Sequence, residues 1–261
     1  MMNEVQKTLY IPLYGKQFVT DKGVILQDEK AVEIWQKEGF SLSRKASSKW
    51  LAYYMAMRAR VFDDWVKEKC EENCVVLHIG CGLDSRVLRV NRPNIPWYDV
   101  DFDEVIQVRQ NYYENKENYT MLVGDFRKCD WLQQLPSNRR LIVLMEGVCM
   151  YSHADEVKQF LQALATHFSK VNILLDVYSE FAAKMSKYRN PIREVGVSTV
   201  YGVNDPKMLT SEQVNFVCEH DMTPARLVAE LQGGERWLFQ KLYAGKMAKS
   251  LYHLYEYSIE K

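Results

Sequence analysis

The sequence predicts an α/β protein of the Rossmann-like kind, in which a mostly parallel sheet lies under a helical cover. Two observations predict this fold. The apolar run 75–79 leads directly into Gly80, Cys81 and Gly82 and then into a segment with helical character, which gives the order strand, glycine turn, helix. Further short apolar runs alternate with segments of helical periodicity, as expected when parallel strands are connected by helices.

The glycine turn is the first place to expect a ligand. A glycine can adopt positive φ without steric cost and lets a ligand approach the backbone, and open parallel sheets bind ligands beyond the carboxyl ends of their strands. A nicotinamide-type fingerprint requires G-x-G-x-x-G or Ala, but Ser85 stands at the third position. Two glycines without the third suit a ligand that has no pyrophosphate, such as S-adenosylmethionine. The alternative is a tight turn that needs glycine for its geometry alone.

An acidic residue ends the second predicted strand, over residues 96–100. Asp101 lies 19 residues beyond Gly82, a spacing typical of an acid that binds the ribose hydroxyls of an adenosine ligand. A carboxylate can accept two hydrogen bonds from a vicinal diol. The alternative, which is compatible with ribose binding, is that Asp101 caps the following helix.

Two later strands also end in acidic residues. Asp125 and Phe126 follow the predicted strand 119–123, where a carboxylate and an apolar side chain could hold an adenine or simply form a turn. Glu146 directly follows the apolar run 141–145. Because the carboxyl ends of parallel strands share one sheet edge, we expect these residues to lie near the glycine turn.

A long helix is predicted over residues 47–70, immediately before the first strand. Arg58 and Arg60 lie two positions apart on it, about 200° around a helix, so at most one can face the ligand site. Both could instead belong to a solvated face. A short amphipathic helix is expected over residues 28–39, whereas Pro12 and Gly15 argue against one long helix near the N-terminus.

The other elements are predicted from caps and alternation. We expect strands over residues 171–177 and 253–259, and helix starts at Ser152 with Asp155, at Thr210 with Gln213, and at Thr223 with Pro224. The polar stretch 179–201 is suited to covering a substrate. No repeat, low-complexity tract or linker interrupts the chain, so residues 1–261 are expected to form a single domain.

Composition favours an ordinary soluble globular protein. Hydrophobic residues make up 47% and charged residues 26%. Lys plus Arg number 34, as do Asp plus Glu, so no net field draws the protein to nucleic acid or to an anionic membrane. No apolar run approaches the roughly 18 residues that span a bilayer, and no signal-peptide pattern is seen at the start. We therefore expect a cytoplasmic protein that binds neither nucleic acid nor membrane.

The six cysteines, at positions 70, 74, 81, 129, 149 and 218, lie mostly in apolar contexts and never as C-x-x-C. The spacing predicts neither a disulfide framework nor a metal site. We interpret the cysteines as reduced residues of the core.

Five motifs, in this order, resemble the leucine carboxyl methyltransferase family, and within it a bacterial branch of polyketide-pathway O-methyltransferases. They are RARVFDD (58–64), HIGCGLDSR (78–86), YDVDFDEVI (98–106), GDFR (124–127) and EGVCMY (146–151). The opening TLYIPLYGK and a late LYEY extend the likeness over most of the chain. One departure is Asp103, which stands where the family often has proline.

The resemblance implies a class I methyltransferase fold that binds S-adenosylmethionine. It implies that Arg58 pairs with the methionine carboxylate, with Glu146 near that end. The implied cofactor-binding set is Arg58, Gly80, Cys81, Gly82, Asp101, Phe102, Asp125, Phe126 and Glu146. Protein-directed members of the family also contact the cofactor through a lysine near the N-terminus, a place that aligns loosely with Lys7. By this likeness residues 1–70 form a helical cover, 71–178 the cofactor-binding core, and 179–261 the substrate-covering segments and last strands.

The leading hypothesis is a methyltransferase that uses S-adenosylmethionine to methylate a carboxylate or hydroxyl of a small molecule. A carboxylate acceptor is ionised at neutral pH and needs no base, whereas a hydroxyl acceptor needs one, for which Tyr151 and His153 are candidates. The alternatives are a nicotinamide dehydrogenase, a non-catalytic binder of S-adenosylmethionine, and a methyltransferase for protein C-terminal carboxyl groups. The sequence does not predict an oligomeric state.

Overall fold

The computed structural model describes residues 9–39, 42–189 and 199–261. The strands in these ranges are β1 (Cys74–Ile79), β2 (Trp97–Asp101), β3 (Tyr119–Val123), β4 (Arg140–Met145), β5 (Lys170–Tyr178), β6 (Val214–His220) and β7 (Tyr252–Glu260). They form one seven-stranded sheet in the order β3-β2-β1-β4-β5-β7-β6. β1 to β5 are parallel, and β7 runs antiparallel between β5 and β6. The predicted mostly parallel α/β fold is confirmed.

Helices cover both faces of this sheet. In the described ranges they are α1 (Tyr10–Lys22), α2 (Glu29–Glu38), α3 (Lys49–Lys69), α4 (Arg86–Val90), α5 (Asp103–Arg109), α6 (Ala154–His167), α7 (Glu180–Arg189), α8 (Ala225–Val228), α9 (Gly233–Leu242) and α10 (Lys246–Lys249). None of them is both long and apolar enough to cross a membrane.

The central strand β1 is buried on both faces of the sheet. All of its residues are buried, because β2 and β4 pair with its two edges and helices pack on both faces. Val75, Leu77 and Ile79 pack into the apolar cluster that includes α6, whereas Cys74 and Val76 pack into the cluster that includes α1 and α3. The twofold alternation of a strand thus serves two cores at once.

The described N-terminal segment holds two separate helices rather than one long helix, as expected, but Pro12 and Gly15 do not separate them, because both lie within α1. Pro12 lies in the first turn of α1, where its missing N–H would have had no partner in any case. Gly15 lies against α3, and a Cβ at this position would be 3.2 Å from the carbonyl oxygen of Ala52. The glycine therefore allows close packing of the two helices.

The helix start predicted at Thr210 with Gln213 is also wrong. The segment from Val214 is strand β6, and its residues alternate between a more buried and an exposed side. Thr210 instead follows a short 3-10 helix, Pro206–Leu209. Cap-type residues occur in turns as well as at helix starts, and in this case the period-two burial identifies the strand.

Other helix starts agree with the predictions to within a residue or two. Asp28 caps α2, its carboxylate accepting from the backbone N–H of Ala31 at 2.9 Å. The helix after β4 begins one residue later than expected, with His153 rather than Ser152 as the cap, and Glu156 accepts from the backbone N–H of His153 at 2.8 Å. α5 begins at Asp103. An acidic residue in the first turn interacts favourably with the helix dipole, and the proline common in the family would fit the same position because its φ is already helical.

The strand order reverses direction at β1. The chain continues from β1 to β2 and β3 on one side and then returns to β4 on the other, which leaves a crevice beyond the carboxyl ends of β1 and β4. Gly80 follows β1 and Glu146 follows β4 at this crevice. The topology therefore brings the predicted glycine turn and the predicted acidic residues to one edge.

Candidate active site

Two cavities open at this edge, and they share Gly80 and Tyr151. The inner cavity has a volume of about 220 Å³ and is lined by α1, α3, the glycine turn and the segment after β4. The outer cavity has a volume of about 400 Å³ and lies beyond β2 and β3. Each of the nine predicted cofactor-binding residues lines at least one of the two cavities. The inner cavity is lined by Arg58, Cys81, Gly82 and Glu146, the outer by Asp101, Phe102, Asp125 and Phe126, and both by Gly80.

The glycine turn has the backbone conformation that glycine favours. Gly80 has φ +64° and Gly82 has φ +50°, values that cost other residues about 1–2 kcal/mol. Gly80 also lies under Val148, and a Cβ at Gly80 would be 2.3 Å from Val148 Cγ2. Cys81 between them is buried, and burial raises the pKa of its thiol well above the usual range. Cys81 therefore contributes to the shape of the turn as a neutral side chain.

Asp101 connects the end of β2 to the glycine turn. Its carboxylate accepts from the backbone N–H groups of Gly82 and Phe102, each at 2.8 Å. Asp101 is only 8% exposed, and burial raises its pKa although both N–H groups lower it. The helix cap is Phe102, so capping of α5 is not the role of Asp101.

The outer cavity has a polar and an apolar wall beside β3. Asp125 is paired with Arg127, whose Nε and Nη2 lie 2.9 and 2.7 Å from its two carboxylate oxygens. Burial would raise the pKa of Asp125, but Arg127 lowers it. Phe126 packs edge-on against Phe160 with ring centroids 5.6 Å apart, while Phe102 is 40% exposed at the rim. The wall thus combines an ionised carboxylate with apolar rings.

Arg58 is buried at the floor of the inner cavity. Its Nε donates to Glu146 Oε1 at 3.0 Å, and its Nη1 donates to Asp176 at 3.0 Å and to the Tyr252 hydroxyl at 2.6 Å. Its Nη2 donates to no described residue. Arg60 lies on the other side of α3, where it contacts Asp64 and the carbonyl oxygen of Ile25. Only Arg58 of the two lines a cavity.

Glu146 is held between two buried arginines. One carboxylate oxygen accepts from Arg58 at 3.0 Å, and the other accepts from Arg86 Nη2. Burial would raise the pKa of Glu146, but Arg86 and Arg58 hold it at about 2. Glu146 is therefore ionised at neutral pH and orients Arg58.

Of the two candidate general bases, Tyr151 lines the site and His153 does not. Tyr151 belongs to the short 3-10 helix Cys149–Tyr151 and lines both cavities. His153 is exposed at the start of α6 and packs on Tyr201 with ring centroids 3.9 Å apart. His153 lines neither cavity, so the structure places only Tyr151 beside the site.

A sequence profile described as leucine carboxyl methyltransferase matches residues 3–165 of this 261-residue chain. The chain belongs to the leucine carboxyl methyltransferase family. The predicted family is thereby confirmed, and with it the predicted enzyme class, a methyltransferase that uses S-adenosylmethionine.

Two curated relatives are similar over most of their length. The tetracenomycin polyketide synthesis O-methyltransferase TcmP of Streptomyces glaucescens is 27% identical over 82% of this chain and 81% of its own. The S-adenosyl-L-methionine-dependent methyltransferase dpfgK of Gibberella zeae is 27% identical over 78% of this chain and 77% of its own.

Solved structures support the fold. A DUF574 family protein from Streptomyces avermitilis has a TM-score of 0.55 at 9% identity and covers 81% of this chain and 84% of its own. Magnesium protoporphyrin IX methyltransferase from Synechocystis, solved with bound S-adenosylhomocysteine, has a TM-score of 0.52 at 13% identity and covers 90% of this chain and 100% of its own. The predicted methyltransferase fold is confirmed.

Sequence reasoning missed Lys16. Lys7 lies outside the described residues, but Lys16 in α1 is buried, lines the inner cavity, and lies 3.1 Å from Asp84. Burial would raise the pKa of Asp84, but Arg89, Lys16 and Arg86 lower it well below its usual range. Lys16 is the last residue of the TLYIPLYGK motif, so the signal was present in the family likeness.

Asp176 and Tyr252 were also missed as site residues. Asp176 in β5 accepts from the Tyr252 hydroxyl at 2.7 Å and from the backbone N–H of Gly147 at 2.7 Å. Both side chains are buried against Arg58. No short motif contains them, because they come together only when β7 pairs with β5.

Proposed function

We propose that this family member transfers the methyl group of S-adenosylmethionine to a carboxylate or hydroxyl of a small, largely apolar molecule of polyketide type. One observation carries the proposal: the outer and inner cavities meet at Gly80. One extended ligand can therefore place its adenosine in the outer cavity and its methionine in the inner cavity. The similarity to a polyketide synthesis O-methyltransferase supports the acceptor class.

The residues of the two cavities fit the cofactor. In this proposal Asp101 accepts from the ribose hydroxyls and Asp125 with Phe126 holds the adenine, and the presence of all three in the lining of the outer cavity supports these roles. In the inner cavity, Nη2 of Arg58 and the ammonium of Lys16 provide positive charge for the methionine carboxylate. Gly147 leaves room beside Arg58, since a Cβ there would be 3.4 Å from Nη2.

The remaining surface of the inner cavity suits an apolar acceptor. Leu51, Met55 and Met150 line it together with the aromatic rings of Tyr178 and Tyr252, and such walls orient the acceptor and exclude water. When bound, the cofactor supplies an electrophilic methyl group on a sulfonium. The protein's own task is to hold the acceptor oxygen in line with that methyl group.

Proton transfer is required only for one class of acceptor. Asp84 and Glu146 are poor proton acceptors, because neighbouring cations hold the pKa of each carboxylate low despite burial. A carboxylate acceptor needs no base. For a hydroxyl acceptor, Tyr151 is the candidate beside both cavities.

We also propose that the protein works in the cytoplasm. All six cysteines are free thiols, which is typical of proteins in reducing compartments. The balanced charge provides no net field toward nucleic acid or anionic membranes.

The proposal predicts a specific ligand response. S-adenosylhomocysteine should raise the melting temperature by mass action, by an amount corresponding to about 2.7 kcal/mol at a hundredfold excess over Kd, whereas NAD should not. The measurement is thermal unfolding with each ligand.

Methyl transfer is tested separately: radiolabelled S-adenosylmethionine is incubated with aromatic carboxylic acids, phenols and a peptide with a free C-terminal leucine. Label in the peptide alone would indicate a protein-directed enzyme, and ligand binding without transfer to any acceptor would indicate a binder.

Asp101→Asn and Asp125→Asn should each weaken S-adenosylhomocysteine binding by about ten- to hundredfold, because a hydrogen bond to a charged group contributes about 1.5–3 kcal/mol. Asp101 is buried rather than exposed, and it also holds two backbone N–H groups, so its replacement should in addition lower the melting temperature. Affinity is measured by calorimetry on the folded variants.

Asp103→Asn is the matched control, because Asp103 is exposed on α5 and lines neither cavity. It should bind as the unaltered protein does. Normal binding by both Asp101→Asn and Asp125→Asn would mean that these acids serve the turns alone.

A further inference from the structure

Three side chains of metal-ligand type meet on the β6–β7 ribbon, away from the two cavities. Cys218 and His220 lie two positions apart on β6 and therefore on the same side of the strand. Glu256 of β7 is the register partner of Cys218, next to a β-bulge between Phe216 and Cys218. Their ligand atoms all lie within 4.8 Å of one another.

The spacing of these atoms is close to that of a tetrahedral metal site. Cys218 Sγ is 3.5 Å from His220 Nε2 and 3.8 Å from Glu256 Oε2. Zinc bonds of about 2.3 Å to sulfur and 2.0–2.2 Å to nitrogen and oxygen, at tetrahedral angles, place sulfur about 3.6 Å from either partner. His220 Nε2 and Glu256 Oε2 are 2.7 Å apart, so they need to separate by only about 0.7 Å to accept an ion between them.

The surroundings leave the required atoms available. Glu256 is 2% exposed, so its carboxylate is held in place beside the other two side chains. Lys69 binds the other oxygen, Oε1, at 3.0 Å and leaves Oε2 to face the cysteine and histidine. Cys218 and His220 are half-buried, so solvent can deliver an ion and complete its coordination.

We propose that Cys218, His220 and Glu256 form a zinc-type site with a fourth, solvent-filled position. Thiolate, imidazole and carboxylate together favour zinc over magnesium or calcium, which prefer oxygen ligands alone. On binding, the thiol S–H bond breaks, a metal–sulfur bond forms, and the proton passes to solvent. The Nε2–H bond that joins His220 to Glu256 is likewise replaced by a metal–nitrogen bond, and its proton passes to Nδ1 of the ring or to solvent.

This site joins two strands, and that is why linear spacing does not predict it. Two ligands come from β6 and the third from β7, 36 residues beyond His220, so no C-x-x-C or H-x-x-x-H pattern arises. Within the described ranges, β6 is an edge strand and pairs with β7 alone. A metal bound across the two strands would therefore fix the edge of the sheet.

The test uses the full chain with zinc and, as a spectroscopic probe, cobalt. We expect one equivalent of Zn²⁺ in competition with a chromophoric chelator, a thiolate-to-cobalt charge-transfer band with Co²⁺, and a higher melting temperature in zinc. Cys218→Ser and His220→Gln should each weaken zinc binding at least about a hundredfold, because even residues that merely support a ligand cost about 10–100-fold when replaced.

The matched controls are Cys129→Ser, another half-buried thiol, and His253→Gln, which removes the neighbouring His253–Glu219 pair at 2.7 Å. Both should bind zinc normally. The site is refuted if the unaltered chain binds no zinc against the chelator, or if Cys218→Ser binds it as tightly as the unaltered chain. In either case the three side chains would only form hydrogen bonds that stabilise the β-bulge. Cys218→Ser removes only one sulfur, so its fold can be checked by the unchanged S-adenosylhomocysteine response.

Discussion

Arg58→Lys lowers the affinity for S-adenosylhomocysteine by about ten- to hundredfold, whereas Arg60→Lys leaves it within about twofold. The guanidinium of Arg58 uses two of its nitrogens on Glu146, Asp176 and Tyr252 and still presents Nη2 to the inner cavity. A lysine has the charge but not the planar fork, so it cannot hold the two acids and a ligand carboxylate together. The affinity is therefore lost because the geometry of the guanidinium is lost, while the positive charge is kept.

Calorimetric titration of each folded variant with S-adenosylhomocysteine measures this difference. Arg60 is a matched control on the same helix, since its contacts with Asp64 and Ile25 lie away from both cavities. Thermal unfolding is recorded in parallel, because Arg58→Lys also disturbs a buried ion-pair network. Equal affinities for the Arg58→Lys variant and the unaltered protein would remove Arg58 from the proposed cofactor site.

Gly80→Ala destabilises the protein by about 2–5 kcal/mol and removes detectable cofactor binding. About 1–2 kcal/mol comes from positive φ at an alanine, and about 1–3 kcal/mol comes from overpacking, because the new Cβ would be 2.3 Å from Val148 Cγ2. Val148 is β-branched and has few rotamers with which to move away. The backbone at the junction of the two cavities must then shift.

A double-mutant cycle separates the two causes. Val148→Ala removes the overlapping methyl group, so the double variant Gly80→Ala with Val148→Ala should be more stable than the sum of the single effects predicts, by about 1–3 kcal/mol. Urea unfolding of the four proteins gives the coupling. Simple additivity would show that Val148 does not require glycine at position 80.

Local patterns were enough to predict the central strands and the glycine turn. The apolar run before Gly80 and the acids after β2, β3 and β4 are short in sequence and adjacent in space, because parallel strands end at a common edge. The same reasoning placed Asp101 and Glu146 beside Gly80. It did not predict that both carboxylates are already bound by groups of the protein itself.

Residues that reach the site from a distance could not be predicted in this way. Tyr252 enters because β7 inserts antiparallel between β5 and β6, and that pairing has no signature within a short window. Lys16 reaches the inner cavity because α1 packs closely on α3 at Gly15, where the sequence rule for proline and glycine predicted a break. β6 was mistaken for a helix because Thr210 and Gln213 have the character of a helix cap, whereas the period-two burial that identifies the strand is seen only in the structure.

The insertion of β7 also sets an order of events at the ribosome. Arg58 and the hydroxyl of Tyr252 are 194 residues apart, so at about 5–20 residues per second the arginine is synthesised roughly ten to forty seconds before its partner. Once β5 has been synthesised, the emerging chain has the acids and the glycine turn, but β5 keeps an unpaired edge until β7 follows. Unpaired edges invite association with other chains. The nascent protein is therefore most vulnerable to misassembly just before the strand that completes its active site arrives.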